Sequence, residues 1–184
     1  MPEDLLVECC APTLAGLKTG SLFACPCPDR KELVRDLRGL NRRLQGRGLR
    51  ILPMRYSDNR ALLYLFRPGR LSRDLQNDAA RSILDRAGYA GLGTDASVLR
   101  LMHRLRESDS FPHEVGLFLS YPPEDVLGFI VNKAKNYKFI GTWKVYGDEN
   151  AARRTFEQYR KCTDSYRRQH SAGIPVERLA VPVT

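Results

Sequence analysis

Leu33, Leu37, Leu40 and Leu44 recur at spacings of four, three and four, which puts one apolar stripe on a helix. Asp29 stands at its start as an N-cap, with Glu32 three residues on in a capping-box-like pair. Gly46 and Gly48 supply stop signals. Residues 49–56 and 61–66 then read as strands joined by the turn chemistry of Ser57-Asp58-Asn59, so a hairpin is expected. Pro53 marks the first strand as an edge or a bulge. The second, almost wholly apolar, should be the more buried. Upstream, residues 4–10 predict a short helix interrupted by Ala11-Pro12-Thr13, with one more turn at 14–18. Residues 21–25 predict a strand that Pro26 and Pro28 stop.

Residues 71–87 read as helix with a break near Asn77, and Gly88, Gly91 and Gly93 form a loop, the one candidate hinge. Thr94 or Asp95 caps a helix to Glu107 with Val98, Leu101, Met102 and Leu105 on its apolar face. Residues 114–120 predict a strand, Pro122-Pro123 the start of a helix, and residues 138–146 another strand. Asp148 caps a long helix whose stripe is Ala152, Phe156, Tyr159, Thr163 and Tyr166. Strand, helix and strand in this order predict a right-handed βαβ unit. The expected fold class is α/β or α+β: a single domain over 1–184, a mixed sheet flanked by helices, with a C-terminal βαβ unit followed by a long helix. Within it, 1–28 is a helix and cysteine segment, 29–110 helix, hairpin and helices, 111–173 the βαβα unit, and 174–184 a tail.

Composition narrows the setting. The chain has 184 residues, 42% hydrophobic and 28% charged, which suits a packed domain and argues against disorder. No apolar run approaches the roughly 18 residues that span a bilayer. The start, Met1-Pro2-Glu3-Asp4, is acidic and does not read as a secretory signal, so a cytoplasmic location without membrane insertion is expected. Cys9, Cys10, Cys25, Cys27 and Cys162 are odd in number and crowded in pairs, which favours reduced thiols over a disulfide framework. The net charge is +9, from 30 Lys and Arg against 21 Asp and Glu. An anionic molecule, nucleic acid or an acidic protein surface are the partner classes it admits, although helix-face arginines also serve simple solvation.

Three segments stand out. They are Cys10-Ala11-Pro12-Thr13-Leu14-Ala15-Gly16-Leu17-Lys18, Phe111-Pro112-His113-Glu114-Val115-Gly116-Leu117-Phe118-Leu119-Ser120-Tyr121-Pro122-Pro123-Glu124-Asp125-Val126, and Trp143-Lys144-Val145-Tyr146-Gly147-Asp148. In this order they make the chain similar to the bacterial domain of unknown function 3793 family, over nearly its whole length. Val115 and Ser120 stand where that pattern would have isoleucine and glycine. The resemblance implies the fold unit and a cytosolic setting, and brings no reaction with it.

Each segment carries polar chemistry. Cys10, near Lys18 and an irregular backbone, suits an activated nucleophile. His113 suits an acid–base group, with Glu114 beside it. Lys144, in an apolar strand, suits an anion holder, or else pairs with a structural carboxylate. The leading expectation is a small-molecule, anion or cofactor-binding protein in which Cys10, His113 and Lys144 act in catalysis. Thr13, Lys18, Glu114, Tyr121, Trp143 and Tyr146 line the same cavity. No cofactor is singled out. Two alternatives stay open: a non-catalytic basic adaptor for an acidic protein or nucleic acid, and a metal held by Cys9, Cys10, Cys25, Cys27 and Cys162. Ordinary buried thiols are the simpler reading of those cysteines.

Overall fold

The computed structural model describes residues 3–107 and 111–182. In chain order its elements are α1 (Glu3–Leu14), β1 (Gly20–Pro26), α2 (Arg30–Leu44), β2 (Arg50–Ser57), β3 (Arg60–Phe66), α3 (Pro68–Gln76), α4 (Asp78–Leu84), α5 (Thr94–Glu107), α6 (Val115–Phe118), α7 (Pro123–Val131), β4 (Phe139–Ile140), β5 (Lys144–Val145), α8 (Glu149–Ser171) and α9 (Val176–Leu179). Helix and strand are mixed, as expected, with helix dominant. The pattern along the sequence suggests one domain; backbone contacts group the chain into two compact units, Met1–Gly69 with Lys161–Thr184, and Arg70–Arg160. Among the described residues no helix is long and apolar enough to cross a membrane.

The first unit is built on a three-stranded antiparallel sheet in the order β1-β3-β2. Ala61 and residues 63–66 of the central strand are buried. Asp58 and Asn59 both take positive φ (47° and 56°) and close the β2–β3 hairpin as a two-residue turn whose twist matches the strands. Pro53 satisfies both of its expectations: β2 is an edge strand, and its register shifts between Pro53 and Arg55. The stripe of α2 is buried as its spacing predicts, and Asp29 accepts the Lys31 N–H at 2.7 Å. The core is closed from the far end of the chain by Val176, Leu179 and Ala180.

The expected interruption of α1 does not occur. The helix runs through Pro12 to Leu14. A proline this near the end removes one intrahelical bond, and the helix stops two residues later, so the loss stays local. The last carbonyls of the helix are met from outside. Arg67, 2% exposed, donates from Nε to the Thr13 oxygen (2.8 Å) and from Nη2 to those of Leu14 (2.7 Å) and Val181 (2.8 Å). Its Nη1 donates to the Arg47 oxygen at 3.1 Å. A cation at a helix C-terminus also complements the dipole.

In the second unit the break near Asn77 is real: its side chain accepts the Ala79 and Ala80 N–H groups at 3.0 and 3.3 Å and caps α4. The βαβ unit is not. Residues 114–120 contain α6, a single short helix, and residues 138–146 fold into the two-residue strands β4 and β5. These pair antiparallel, with Phe139 opposite Val145 and Ile140 opposite Lys144. Both sheets are antiparallel, so the mixed sheet is also corrected. Residues 115–119 are all buried. A segment that is apolar on every side has no period to separate strand from buried helix. Gly141-Thr142 is the turn signal that splits the supposed long strand. Asp148 accepts the Ala151 N–H at 2.9 Å and opens α8. Residues 149–160 of that helix belong to the second unit and 161–171 to the first.

Candidate functional site

Asp125 organises the second unit. It lies in the first turn of α7, is 3% exposed, and its Oδ2 accepts the Trp143 indole N–H at 2.6 Å. Its Oδ1 accepts the backbone N–H groups of Tyr146 (2.7 Å) and Gly147 (2.8 Å). One buried carboxylate thus ties α7 to the β4–β5 hairpin and fixes the indole. A buried charge demands such partners. Trp143 is further held by Tyr121, stacked at 4.8 Å, and by Phe156, edge-on at 4.5 Å. Tyr121 folds back over α6 because Gly116 has no Cβ: one built there would stand 2.7 Å from Val126 and 3.0 Å from the Tyr121 ring. The hairpin turn makes a similar demand, since a Cβ on Gly141 would stand 2.3 Å from the Phe156 ring.

These contacts leave a cavity of about 300 Å³. Phe111, Tyr121, Phe129 and Trp143 give it aromatic walls, and His113 and Lys144 bring polar groups to it. His113 is exposed, with its ring against the Phe129 edge at 4.9 Å. Lys144 is half-buried. Its ammonium donates to the Ala134 oxygen at 2.8 Å and lies over the rings of Tyr137 (4.7 Å) and Phe129 (5.8 Å). Among the described residues no carboxylate comes within ion-pair reach of it, so it is not the structurally paired lysine that the sequence also allowed. The Ala134 carbonyl is presented by a segment in which Lys133, Ala134 and Asn136 all have positive φ.

Four residues expected at one site, His113, Tyr121, Trp143 and Lys144, therefore line one cavity. Glu114 does not join them. It is buried, accepts the Tyr89 hydroxyl at 2.9 Å, and makes a 2.7 Å ion-pair contact with Arg104 Nε that is too bent for a hydrogen bond. Burial, and then the Glu114 charge, push the Tyr89 phenol far up. Tyr146 contributes its backbone to Asp125, and its ring packs on Gly128, outside the cavity lining.

Cys10, Thr13 and Lys18 belong to the first unit. Cys10 is fully enclosed in the core, and burial pushes its thiol well above the ordinary value. The Cys9 thiol adds to that rise, while Lys18 and Ser21 oppose it. That environment holds the neutral thiol and withholds the thiolate a nucleophile needs. Thr13 and Ser21 hydroxyls share a 2.9 Å hydrogen bond, also buried. Lys18 is 8% exposed, and burial lowers its ammonium from 10.5 to about 8. The cysteine metal site is corrected: among the described residues no group of three or more His, Cys, Asp or Glu is placed to hold an ion. The cysteines are free, with Cys9 exposed, Cys162 half-buried, and Cys10, Cys25 and Cys27 buried.

Sequence reading missed Asp125, giving it no role beyond its place in the second segment. The available signal was a lone tryptophan 18 residues downstream, whose indole N–H needs an acceptor once buried.

Fold and site define a small helix-and-strand protein with an aromatic-walled cavity in its second unit. The chain belongs to the family described as protein of unknown function (DUF3793), whose model matches residues 6–180. No curated protein and no solved structure matches it.

Proposed function

We propose that this protein binds a small organic molecule in the cavity of its second unit. The observation that carries the reading is the lining: four aromatic side chains with the polar groups of His113, Asp125 and Lys144 among them, around about 300 Å³. Ligand pockets commonly have this character, apolar walls with a few placed polar groups, and this one lies at the small end of their range. A cavity of about 150 Å³ takes benzene, so this one suits a molecule of one or two rings. Thiol catalysis through Cys10 gains no support from its burial. A cytosolic setting fits the free cysteines and forms part of the reading.

The adaptor alternative has less behind it. Arg43 is engaged by Glu3 and Glu177, Arg153 by Glu149, and Arg167 by Glu8. Those contacts engage three of the arginines that would dock an acidic partner.

Trp143 is the sole tryptophan, so its emission reports this cavity without background. Titration with a panel of one- and two-ring aromatic compounds should give saturable emission changes. A Phe129→Ala variant should weaken them at least severalfold. If no compound in the panel gives a saturable change, the reading fails.

A further inference from the structure

The cavity has an acid and a base in its lining, and their situations differ. Asp125 already accepts three hydrogen bonds, from the Trp143 indole and two backbone N–H groups, so its charge is turned inward. Lys144 gives one of its three ammonium donors to the Ala134 carbonyl. Its remaining surroundings are the faces of Tyr137 and Phe129, and no carboxylate of the described residues neutralises it. Ring faces and one carbonyl hold a cation only partly desolvated. The sequence extends the imbalance: between Asp125 and Asp148 stand Lys133, Lys135, Lys138 and Lys144 and not one acidic residue. Lys138 is held at the same hairpin, donating to the Gly147 oxygen at 2.8 Å.

Resting on the cavity reading above, we propose that its occupant is a flat aromatic anion of one or two rings, whose negative group meets the Lys144 ammonium. The rings replace water against Trp143, Tyr121 and Phe129. The anion takes the donors that Ala134 leaves. A cationic ligand would meet Lys144 with no acid free to receive it, so the cavity discriminates by charge as well as shape.

Calorimetric titration of the full chain with 2-naphthoate and with the neutral 2-naphthamide separates the two terms. A hydrogen bond to a charged group makes the naphthoate preference about tenfold or more. Lys144→Met should abolish that preference, weakening naphthoate much more than naphthamide, and Lys144→Arg should keep it. Raising salt should weaken naphthoate alone. If the amide binds the native protein as tightly as the acid, or Lys144→Met retains the preference, the anion proposal is overturned and the cavity reading stands. If neither compound binds, the anion proposal falls, and the wider panel decides the cavity reading. Should Lys144→Met fail to fold, the salt arm and Lys144→Arg on native-like protein decide the matter.

Discussion

Lys18 releases its proton near pH 8 in the folded chain, against 10.5 for an unburied lysine. Below pH 8 both states carry the charge, and the folded state bears the full desolvation penalty. Between about 8 and 10.5 the unfolded chain holds the extra proton, so raising pH favours the folded one. Above that window neither is charged and the penalty is gone. The stability gap between Lys18→Met and the native protein should therefore move in favour of the native protein by up to about 3 kcal/mol as pH rises from 7 to 10.5. Denaturant unfolding of both proteins across pH 7–10.5 measures it. Cys10, whose buried thiol keeps its proton when the unfolded thiol has lost it, acts in the opposite direction in both proteins. A gap that does not change with pH would show that Lys18 is not the desolvated group. Ser120 shows a residue whose conformation the strand reading of 114–120 got wrong. It has φ of 61°, the left-handed backbone that glycine adopts without strain, where a strand would be extended. Lys18 was not legible either, because nothing local tells a buried lysine from a solvated one.

Among the elements, those whose pattern had a period were read correctly and those without one were not. The leucine stripe of α2, the β2–β3 hairpin, the cap of α4 at Asn77 and the start of α8 follow from spacing and turn residues. The α6 segment and the β4–β5 hairpin were taken for two long strands. Their positions are decided by tertiary contacts that no window of sequence contains, above all the Asp125 carboxylate. Removing that carboxylate tests the account. Asp125→Ala leaves an indole N–H and two backbone N–H groups without their acceptor, at a loss of about 3 kcal/mol or more. Trp143, released from the cluster, should emit to the red of its native position. Unchanged stability together with unchanged emission would mean that the hairpin is held by ring packing alone.

At the scale of the whole molecule, the mixed helix-and-strand class was legible and the parallel topology was not. Part of the site was legible as well: His113, Tyr121, Trp143 and Lys144 were singled out and line one cavity, because unusual side chains in apolar segments mark places where packing makes room for them. Cys10, Thr13 and Lys18 were grouped with them only by being distinctive, and distinctiveness carries no distance. The thiols give a measurement on the entire chain. At pH 8, Cys9 should react with a disulfide reagent first, Cys162 more slowly, and Cys10, Cys25 and Cys27 only on unfolding. Peptide mapping of the labelled protein identifies each. If Cys10 labels as fast as Cys9, its enclosure is wrong and the nucleophile reading returns.

The first unit is discontinuous, and this bears on how the chain is made. Arg67 reaches the end of α1 and the Val181 carbonyl together, and Val176, Leu179 and Ala180 complete the core begun by Leu6 and Leu14. A ribosome delivers α1 and the three-stranded sheet before residues 70–160, yet the residues that cover them emerge after that stretch. Until then that apolar surface has no lid of its own. Residues 70–160, by contrast, emerge as one continuous stretch.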